Sequence, residues 1–430
     1  MREMKDSGID WINYAPASWQ IKRIKAVLME RNESNNPVKT DFILSLTNDR
    51  GVIPYDEKGE IGNKSKDDLT GYKLAYPNDI VLNSMNVFIG SVGLSQYFGC
   101  VSPVYYMLRK RNENDDIRYY NYLFQTKQLQ TKLHGYGNGI MDIRMRIQMS
   151  KLNTVMLPIP SSEEQHRIAD YLDDKCKKID AIICQQNQMV EKLKSYKSAL
   201  ITETVIRGIR SDRQYKNSGY DFIGEIPNEW EVCRLRNIGR PQNGISKGGE
   251  YFGRGTPFVS YGDIYRNFSL PEEVDGRLEA TDEEQNNYSV EAGDIFFTRT
   301  SETIEEVGFS CVCEKTIPNA TFAGFVIRVR PFNDKLKTGY AKYFFRSSHQ
   351  RKYLVKEMNL VTRASLGQDL LKSMPVLIPP MDEQDEIAAF LDKKCDVIDA
   401  SIKKREAIIE KITQYKKSLI YEVVTGKKEV

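Results

Sequence analysis

Polar and basic side chains gather after two apolar runs that lie at matching places in the two halves of the chain. They are Asn83, Ser84 and Asn86 in the first half, and Thr298, Arg299 and Ser301 in the second. Arginine and asparagine can form paired hydrogen bonds with guanine and adenine edges, while lysine, serine and backbone amides hold phosphates. The pattern therefore predicts DNA contacts, although a solvated surface is the simpler interpretation of any single residue.

Further candidates of the same kind lie in loops and in segments that approach a proline-rich stop. They are Tyr136 and Asn138 in a loop with two glycines, Lys247 before two glycines, and Arg144 and Arg363 at equivalent positions of the two halves. Flexible loops with aromatic and basic residues can reach bases and phosphates. We include these residues in the predicted DNA-contact set.

Sequence patterns typical of catalysis are missing. The chain has no HExxH, Walker A or GxSxG pattern, and its three histidines share no motif spacing. The glycine-rich segment 251–255 lacks an Asn/Asp-Pro-Pro-aromatic partner and is interpreted as a loop. The Asp-x-Lys pairs at Asp173 and Asp392 fall inside helical heptads without a strand-borne second carboxylate, which indicates ordinary helix charges. We therefore expect a non-catalytic protein without its own cofactor or metal.

The composition is that of an ordinary globular chain. Its 430 residues carry 62 Lys+Arg against 59 Asp+Glu, and 40% are hydrophobic, which argues against a mainly disordered chain. No apolar run approaches the ~18 residues that a membrane helix needs. The N-terminal residues lack the apolar core of a secretory signal, and the seven cysteines are widely spaced. We therefore expect a cytoplasmic protein with no membrane partner.

The chain is a tandem duplication. The segment KDSGIDWI, which starts at Lys5, returns as KNSGYDFI from Lys216, and each copy is followed by an equivalent proline and tryptophan. The pattern EQxxIAxxLDxKCxxIDA starts at Glu164 and again at Glu383. Between these anchors the two halves barely resemble each other. Each half is therefore a divergent domain followed by a preserved segment.

The preserved segments have the apolar spacing of long helices. In both copies the seam residues recur in steps of three and four, without proline or glycine, and the first seam runs on through Ile182, Met189 and Tyr196. A free helix would leave this seam uncovered, so we expect the two helices to pair. The predicted pairing residues are Ile168, Leu172, Ile179, Leu193, Leu200, Ile387, Leu391, Ile398, Ile412 and Leu419.

These observations predict an α+β protein with a pseudo-two-fold internal repeat. The divergent parts read as mixed α/β domains with short strands, at residues 1–157 and 209–376, and the long helices span 158–208 and 377–430. We expect the helices to form an antiparallel coiled coil.

The repeated motifs resemble those of the specificity (S) subunits of type I restriction–modification systems. The resemblance rests on both domain openings and on the proline-rich approach to each EQxxIAxxLD helix, and it covers essentially the whole chain. It implies two target recognition domains, each reading one half of a bipartite site in double-stranded DNA. It also implies a helical spacer that docks two modification (methyltransferase) subunits, with restriction subunits in the larger complex. S-adenosylmethionine and ATP then bind to those partners.

Two alternatives remain open from the residues alone. A coiled-coil scaffold whose domains bind proteins would explain the helices without specific DNA binding. A self-contained nuclease or methyltransferase is weaker, because it needs motifs that the sequence lacks. Sequence-selective DNA binding, measured with and without a methyltransferase partner, separates the first alternative from the family function.

Overall fold

A computed structural model describes residues 2–48, 50–59, 67–136, 146–301, 307–357 and 364–430. The chain divides into two compact units. The first comprises residues 1–187 and 407–430, and the second comprises residues 188–406. The bounds fall inside both long helices, so each unit contains one divergent domain and a part of each helix.

The first unit begins with short strands and ends on a long helix. In chain order its elements are β1 (Met4–Ile9), β2 (Ile12–Pro16), β3 (Gln20–Arg23), α1 (Ile24–Val27), β4 (Leu28–Arg31), β5 (Leu44–Thr47), β6 (Gly51–Pro54), β7 (Lys73–Ala75), β8 (Ile80–Asn83), β9 (Val92–Leu94), β10 (Gly99–Val101), β11 (Tyr105–Lys110), α2 (Ile117–Phe124), α3 (Lys127–His134), α4 (Met149–Leu152), β12 (Met156–Ile159) and the first part of α5 (Ser162–Arg207).

The second unit continues from α5 through a similar series. Its further elements are β13 (Tyr215–Asn217), β14 (Glu225–Pro227), β15 (Glu231–Arg234), β16 (Gly239–Asn243), β17 (Phe252–Val259), α6 (Tyr261–Arg266), β18 (Arg277–Leu278), α7 (Asp282–Asn287), β19 (Ile295–Thr298), β20 (Thr300–Ser301), β21 (Ser310–Val312), β22 (Thr321–Phe322), β23 (Val326–Pro331), α8 (Thr338–Phe344), α9 (Ser348–Glu357), β24 (Ala364–Ser365), α10 (Gln368–Ser373), β25 (Pro375–Ile378) and the first part of α11 (Met381–Val424).

Each unit has a four-stranded antiparallel sheet with the same connectivity. The order is β4-β11-β8-β9 in the first unit and β16-β23-β19-β21 in the second. The strands β8 and β19 are buried on both faces, because successive side chains of a strand point to opposite sides. Ile80 and Leu82 join the main core while Val81 joins a second cluster. In β19, Phe296 belongs to one core cluster while its neighbours Ile295 and Phe297 belong to another. Each central strand therefore lies between two cores.

The preserved anchors hold each domain to a long helix. The indole Nε1 of Trp19 donates to Glu164 Oε2 at 2.9 Å in the first unit. In the second, the Trp230 indole donates to Glu383 at 2.9 Å, and Arg213 pairs with the same carboxylate at 2.7 Å. Both indoles are buried. The duplicated Trp and Glu therefore repeat because they make the same internal contact twice.

The glutamine that follows each anchoring glutamate caps a second helix of the domain. Gln165 Oε1 accepts from the backbone N of Asp116 at 3.1 Å, at the start of α2. Gln384 Oε1 accepts from the backbone N of Lys337 at 2.8 Å, at the start of α8. These bonds satisfy amide donors that have no partner within their own helix. In both copies, the adjacent glutamate and glutamine therefore connect the long helix to its domain through hydrogen bonds.

The long helices start later than the sequence predicts. Predicted starts at 158 and 377 fall in β12 and β25, which pair antiparallel with β3 and β15. The prolines and apolar residues before each helix form these strands instead of a first helical turn. The second helix also ends at Val424, so its predicted range to 430 was too long.

Residues predicted to line the helix seam lie at different depths. Ile168, Leu172, Ile179, Ile387, Leu391, Ile398 and Leu419 are buried, while Leu193, Leu200 and Ile412 are half-buried. The continuation of the seam through Ile182, Met189 and Tyr196 was wrong, because these side chains are exposed. Their neighbours Ile183, Val190 and Lys197 are less exposed in each case. The apolar stripe therefore shifts by one residue along α5.

Among the described residues, no helix is long and apolar enough to cross a membrane.

Candidate nucleic-acid interface

In the first unit, the turn after β8 is fixed by hydrogen bonds to two other segments. The hydroxyl of Ser84, a buried residue, donates to the Val104 carbonyl at 2.7 Å, just before β11. The Ser84 carbonyl accepts from the backbone N of Ile147 at 2.9 Å. Asn83 Oδ1 accepts from the Met85 amide at 3.0 Å and caps the turn. We call the meeting of these three segments the strand-end edge.

The second unit builds the same edge from different side chains. Thr298 is buried, and its hydroxyl oxygen accepts from the Phe309 amide at 2.9 Å. The Arg299 amide donates to the Phe325 carbonyl at 2.8 Å, and its carbonyl accepts from the Leu366 amide at 2.7 Å. Leu366 occupies the place of Ile147, so the backbone junction is duplicated although the side chains are not.

These hydrogen bonds show that several predicted DNA contacts use their side chains within the protein. The side chains of Asn83, Ser84 and Thr298 are used inside the turn, and Asn86 is half-buried where a 3-10 helix begins. Arg299 is half-buried, and its Nη1 is 3.4 Å from the Gly324 carbonyl. Of these five, Arg299 has the longest polar side chain at the edge and retains donors for a ligand.

Tyr136 follows α3, the helix whose last residue contacts the turn after β8. The ring of His134, at the end of α3, contacts Phe88 in the turn after β8, with centroids 5.1 Å apart. Tyr136 follows two residues later, is half-buried, and has Lys132 Nζ 5.5 Å from its ring centroid. It borders a cleft of about 660 Å³ that Trp11 and Lys127 also line.

Lys247, a predicted DNA contact, forms an ion pair with a carboxylate of the same unit. Its Nζ donates to Glu284 at 2.6 Å and to the Glu279 carbonyl at 2.8 Å. The ammonium group in turn lowers the pKa of the Glu284 carboxyl, chiefly through this hydrogen bond. Glu284 also caps α7, so the lysine completes a structural network.

The remaining predicted contacts lie outside the described residues or have no described side chain. Asn138, Arg144 and Arg363 lie outside the described ranges. Ser301 belongs to β20, where it pairs with Ala364, but its side chain is not described.

Two residues at the strand-end edge were not among the predicted DNA contacts. Arg146 is exposed and directly precedes Ile147, which bonds to Ser84. Phe325 is 62% exposed in the turn before β23, where its carbonyl accepts from Arg299. In the sequence, Phe325 lies inside an apolar run, and for that reason the turn at this position was not predicted. The adjacent Gly324 was the available signal for that turn.

The aspartates of the two Asp-x-Lys pairs have structural partners, and the closely spaced Cys311 and Cys313 are buried. Asp173 accepts from the Tyr122 hydroxyl at 2.6 Å, and Asp392 accepts from Tyr343 at 2.7 Å. Burial raises the pKa of both the Cys311 and the Cys313 thiols to about 12, so neither is a reactive thiolate at neutral pH. In the described ranges, no group of three or more His, Cys, Asp or Glu residues could hold a metal ion.

The family of type I restriction modification DNA specificity domains matches this chain twice, over residues 16–192 and 227–414. The chain is 24% identical to the type I restriction enzyme MjaVIII specificity subunit of Methanocaldococcus jannaschii, covering 81% of this chain and 79% of that protein. It is 26% identical to the EcoKI specificity subunit of Escherichia coli, covering 66% of this chain and 62% of that one.

A solved structure has the same fold. It belongs to work on complex assembly and conformational transition of the type I R-M system, and it aligns with a TM-score of 0.71 at 14% sequence identity. The alignment covers 95% of this chain and 98% of that chain. The likeness in fold therefore extends over nearly the whole of both chains.

Proposed function

Because the chain belongs to the type I restriction modification DNA specificity family, we propose that it is the DNA-recognition subunit of a type I restriction–modification complex. Both family matches fall on the duplicated halves. The observation that carries the proposal is the strand-end edge, which is built twice on one backbone plan with different side chains. A protein that reads two different sequences needs this combination of equal scaffolds and unequal surfaces.

Each unit reads one half of a bipartite site in double-stranded DNA. In the second unit, Arg299 is the charged side chain best placed for guanine contact, and Phe325 offers apolar contact beside it. In the first unit, Arg146 borders the corresponding edge, and Tyr136 follows the helix that contacts it. The two sets do not occupy equivalent positions, since Arg299 corresponds to Ser84 and Phe325 corresponds to Val104, so the two half-sites differ in sequence.

The long helices form an antiparallel coiled coil that sets the spacing and docks partners. Within the first unit, Asp180 of α5 pairs with Lys416 of α11 at 2.7 Å. Within the second, Lys197 of α5 pairs with Asp399 of α11 at 2.6 Å. These two ion pairs are each other's equivalents in the repeat, which supports a pseudo-two-fold pairing of the helices.

The partners are two modification subunits, and restriction subunits join the larger complex. Methyl transfer and DNA cleavage occur on those partners in the cytoplasm, together with the S-adenosylmethionine and ATP that they bind. The chain itself is the non-catalytic part. The names of its relatives support this division, since they are specificity subunits of type I restriction enzymes.

Reconstitution tests the proposal directly. The purified chain alone should leave DNA unmethylated, whereas the chain mixed with the modification subunit and S-adenosylmethionine should methylate one defined sequence. Methyl transfer by the chain alone would contradict the non-catalytic assignment. Methylation without sequence preference in the mixture would favour the scaffold alternative instead.

A further inference from the structure

At the strand-end edge of the second unit, a basic and an aromatic residue lie opposite each other at the ends of neighbouring strands. The pairing of β19 with β23 ends at Thr298 and Val326. One position farther, the Arg299 amide donates to the Phe325 carbonyl at 2.8 Å. Opposite positions of paired strands bring their side chains within reach of each other. The Arg299 side chain also runs along the same turn, since its Nη1 is 3.4 Å from the Gly324 carbonyl. We call Arg299 and Phe325 the edge pair.

Hydrogen bonds to other segments hold the turn that carries Phe325. The Ala323 amide donates to the Val259 carbonyl at 3.0 Å, and the Val326 amide donates to the Ala323 carbonyl at 2.9 Å. Phe325 itself is 62% exposed and belongs to neither core of the second unit among the residues that the structure describes. An apolar ring is therefore presented from a fixed backbone, so that burying it against a ligand requires little ordering of the protein.

Unlike the arginines of β23, Arg299 is not engaged by an acidic or amide side chain of the described residues. Arg328 donates to the Gln242 side chain, and Arg330 pairs with Asp294 at 2.7 Å. A guanidinium has five N–H donors, and the contact of Arg299 described above engages only Nη1. The remaining donors suffice for the paired hydrogen bonds that arginine forms with O6 and N7 of guanine.

The first unit lacks the edge pair. In the repeat, Arg299 corresponds to Ser84 and Phe325 corresponds to Val104. Ser84 is buried, and its hydroxyl donates to the Val104 carbonyl, while Val104 is half-buried. A partner that binds both copies equally would need equal residues at these positions. The edge pair therefore suits a ligand that differs between the two units, as the two half-sites of the DNA do.

We propose that the edge pair reads two adjacent bases of the second half-site, with Arg299 contacting a guanine and Phe325 contacting the C5-methyl group of a neighbouring thymine. The inference rests on the proposed function, which supplies the DNA, and it adds the identity of two bases. In the major groove thymine is distinguished by its methyl group, with which a phenylalanine ring makes apolar contact. Successive bases lie about 3.4 Å apart along the duplex. Two protein side chains with Cβ atoms about 5 Å apart can therefore reach adjacent bases.

The test removes single groups from the DNA and leaves the protein unchanged. The full-length chain is assembled with its modification subunit, and its affinity is measured on the site that sequencing of methylated DNA identifies. Uracil in place of the contacted thymine removes only the methyl group and should weaken binding about fourfold. Replacing the guanine by 7-deazaguanine removes the N7 acceptor and should weaken binding about tenfold. Each thymine and guanine is replaced in turn, and a sensitive thymine should lie next to a sensitive guanine.

Variants assign these effects to the two side chains. Phe325→Ala should weaken binding to the thymine site and leave binding to the uracil site unchanged, whereas Phe325→Leu should keep the preference for thymine because leucine is apolar. Arg299→Ala should no longer distinguish guanine from 7-deazaguanine. The matched control is Phe332→Ala, which removes a phenylalanine that is 64% exposed at the other end of β23 and should leave both preferences unchanged.

The outcomes separate this inference from the function on which it rests. A wild-type complex without sequence preference would overturn both. Sequence-specific binding in which no thymine beside a guanine responds to loss of its methyl group would overturn the edge pair alone. An equal loss on thymine and uracil sites in Phe325→Ala would also overturn it and would indicate a ring that inserts between base pairs. Weaker binding of the modification subunit by Phe325→Ala would instead assign the ring to a protein interface.

Discussion

The helix anchors and the strand-end edges were copied by the same duplication, yet they differ in what has been retained. Trp19 with Glu164 and Trp230 with Glu383 repeat the same residues and the same 2.9 Å hydrogen bond. At the edges, the carbonyls of Ser84 and Arg299 accept hydrogen bonds from Ile147 and Leu366, which are equivalent in the repeat. The side chains of Ser84 and Arg299 nevertheless differ. The comparison shows that the anchor contact requires its two side chains, whereas a junction between backbone atoms accepts a buried serine in one copy and a half-buried arginine in the other.

The largest expected effect comes from breaking an anchor. Trp230→Ala removes a fully buried indole and leaves the Glu383 carboxylate with one partner fewer, so it should lower the free energy of unfolding of the second unit by about 3–5 kcal/mol. Denaturant unfolding followed by circular dichroism measures the change. Phe332→Ala, at a side chain that is 64% exposed, is the control and should change stability by less than about 0.5 kcal/mol. Equal stability of the two variants would show that the anchor does not hold the unit.

A smaller effect on affinity, confined to one half-site, is expected at the edge. Arg299→Ala should cost about 1–3 kcal/mol of discrimination at one base pair of the second half-site, since it removes the paired donors. Binding to a panel of single-base site variants measures this loss. Arg236→Ala, at an exposed arginine of the same unit, serves as the control. If Arg299→Ala instead weakens all sequences equally and flattens the salt dependence, the residue contacts phosphate.

The smallest effect is expected at Lys247. Because its ammonium group is held by Glu284 and the Glu279 carbonyl, Lys247→Met should change DNA affinity by less than about twofold, with no change in its salt dependence. A phosphate contact would instead reduce the salt slope by about one unit. Titrations at several salt concentrations distinguish the two, and a reduced slope would show that Lys247 contacts a phosphate.

The sequence predicts the scaffold better than it predicts the edge. The duplication, both long helices and the central strands β8 and β19 follow from local spacing, which one chain segment determines by itself. The buried face of the helix does not follow from local spacing. Adjacent residues such as Ile182 and Ile183, or Met189 and Val190, form two equally apolar stripes. Only tertiary packing selects between them.

The edge depends on contacts between residues far apart in the chain. The ammonium group of Lys247 pairs with the carboxylate of Glu284, which lies 37 positions later in the chain. No local sequence pattern predicts this contact. Ser84 was predicted as a DNA contact on its type alone, but it is buried by Val104 and Ile147 from two other segments. Phe325 is exposed because a turn interrupts an apolar run that reads as continuous. Which of these side chains are free to contact a ligand therefore depends on the fold and not on residue type.

The most direct measurement of the central claim is the methylated sequence made by a chimaera. Residues 20–150 are replaced by the equivalent region of another specificity subunit, the chimaera is combined with the modification subunit, and methylated sites are mapped by single-molecule sequencing. If each unit reads one half-site, one half of the recognised sequence should become that of the donor and the other half should remain. A change in both halves, or in neither, would contradict one reader per unit.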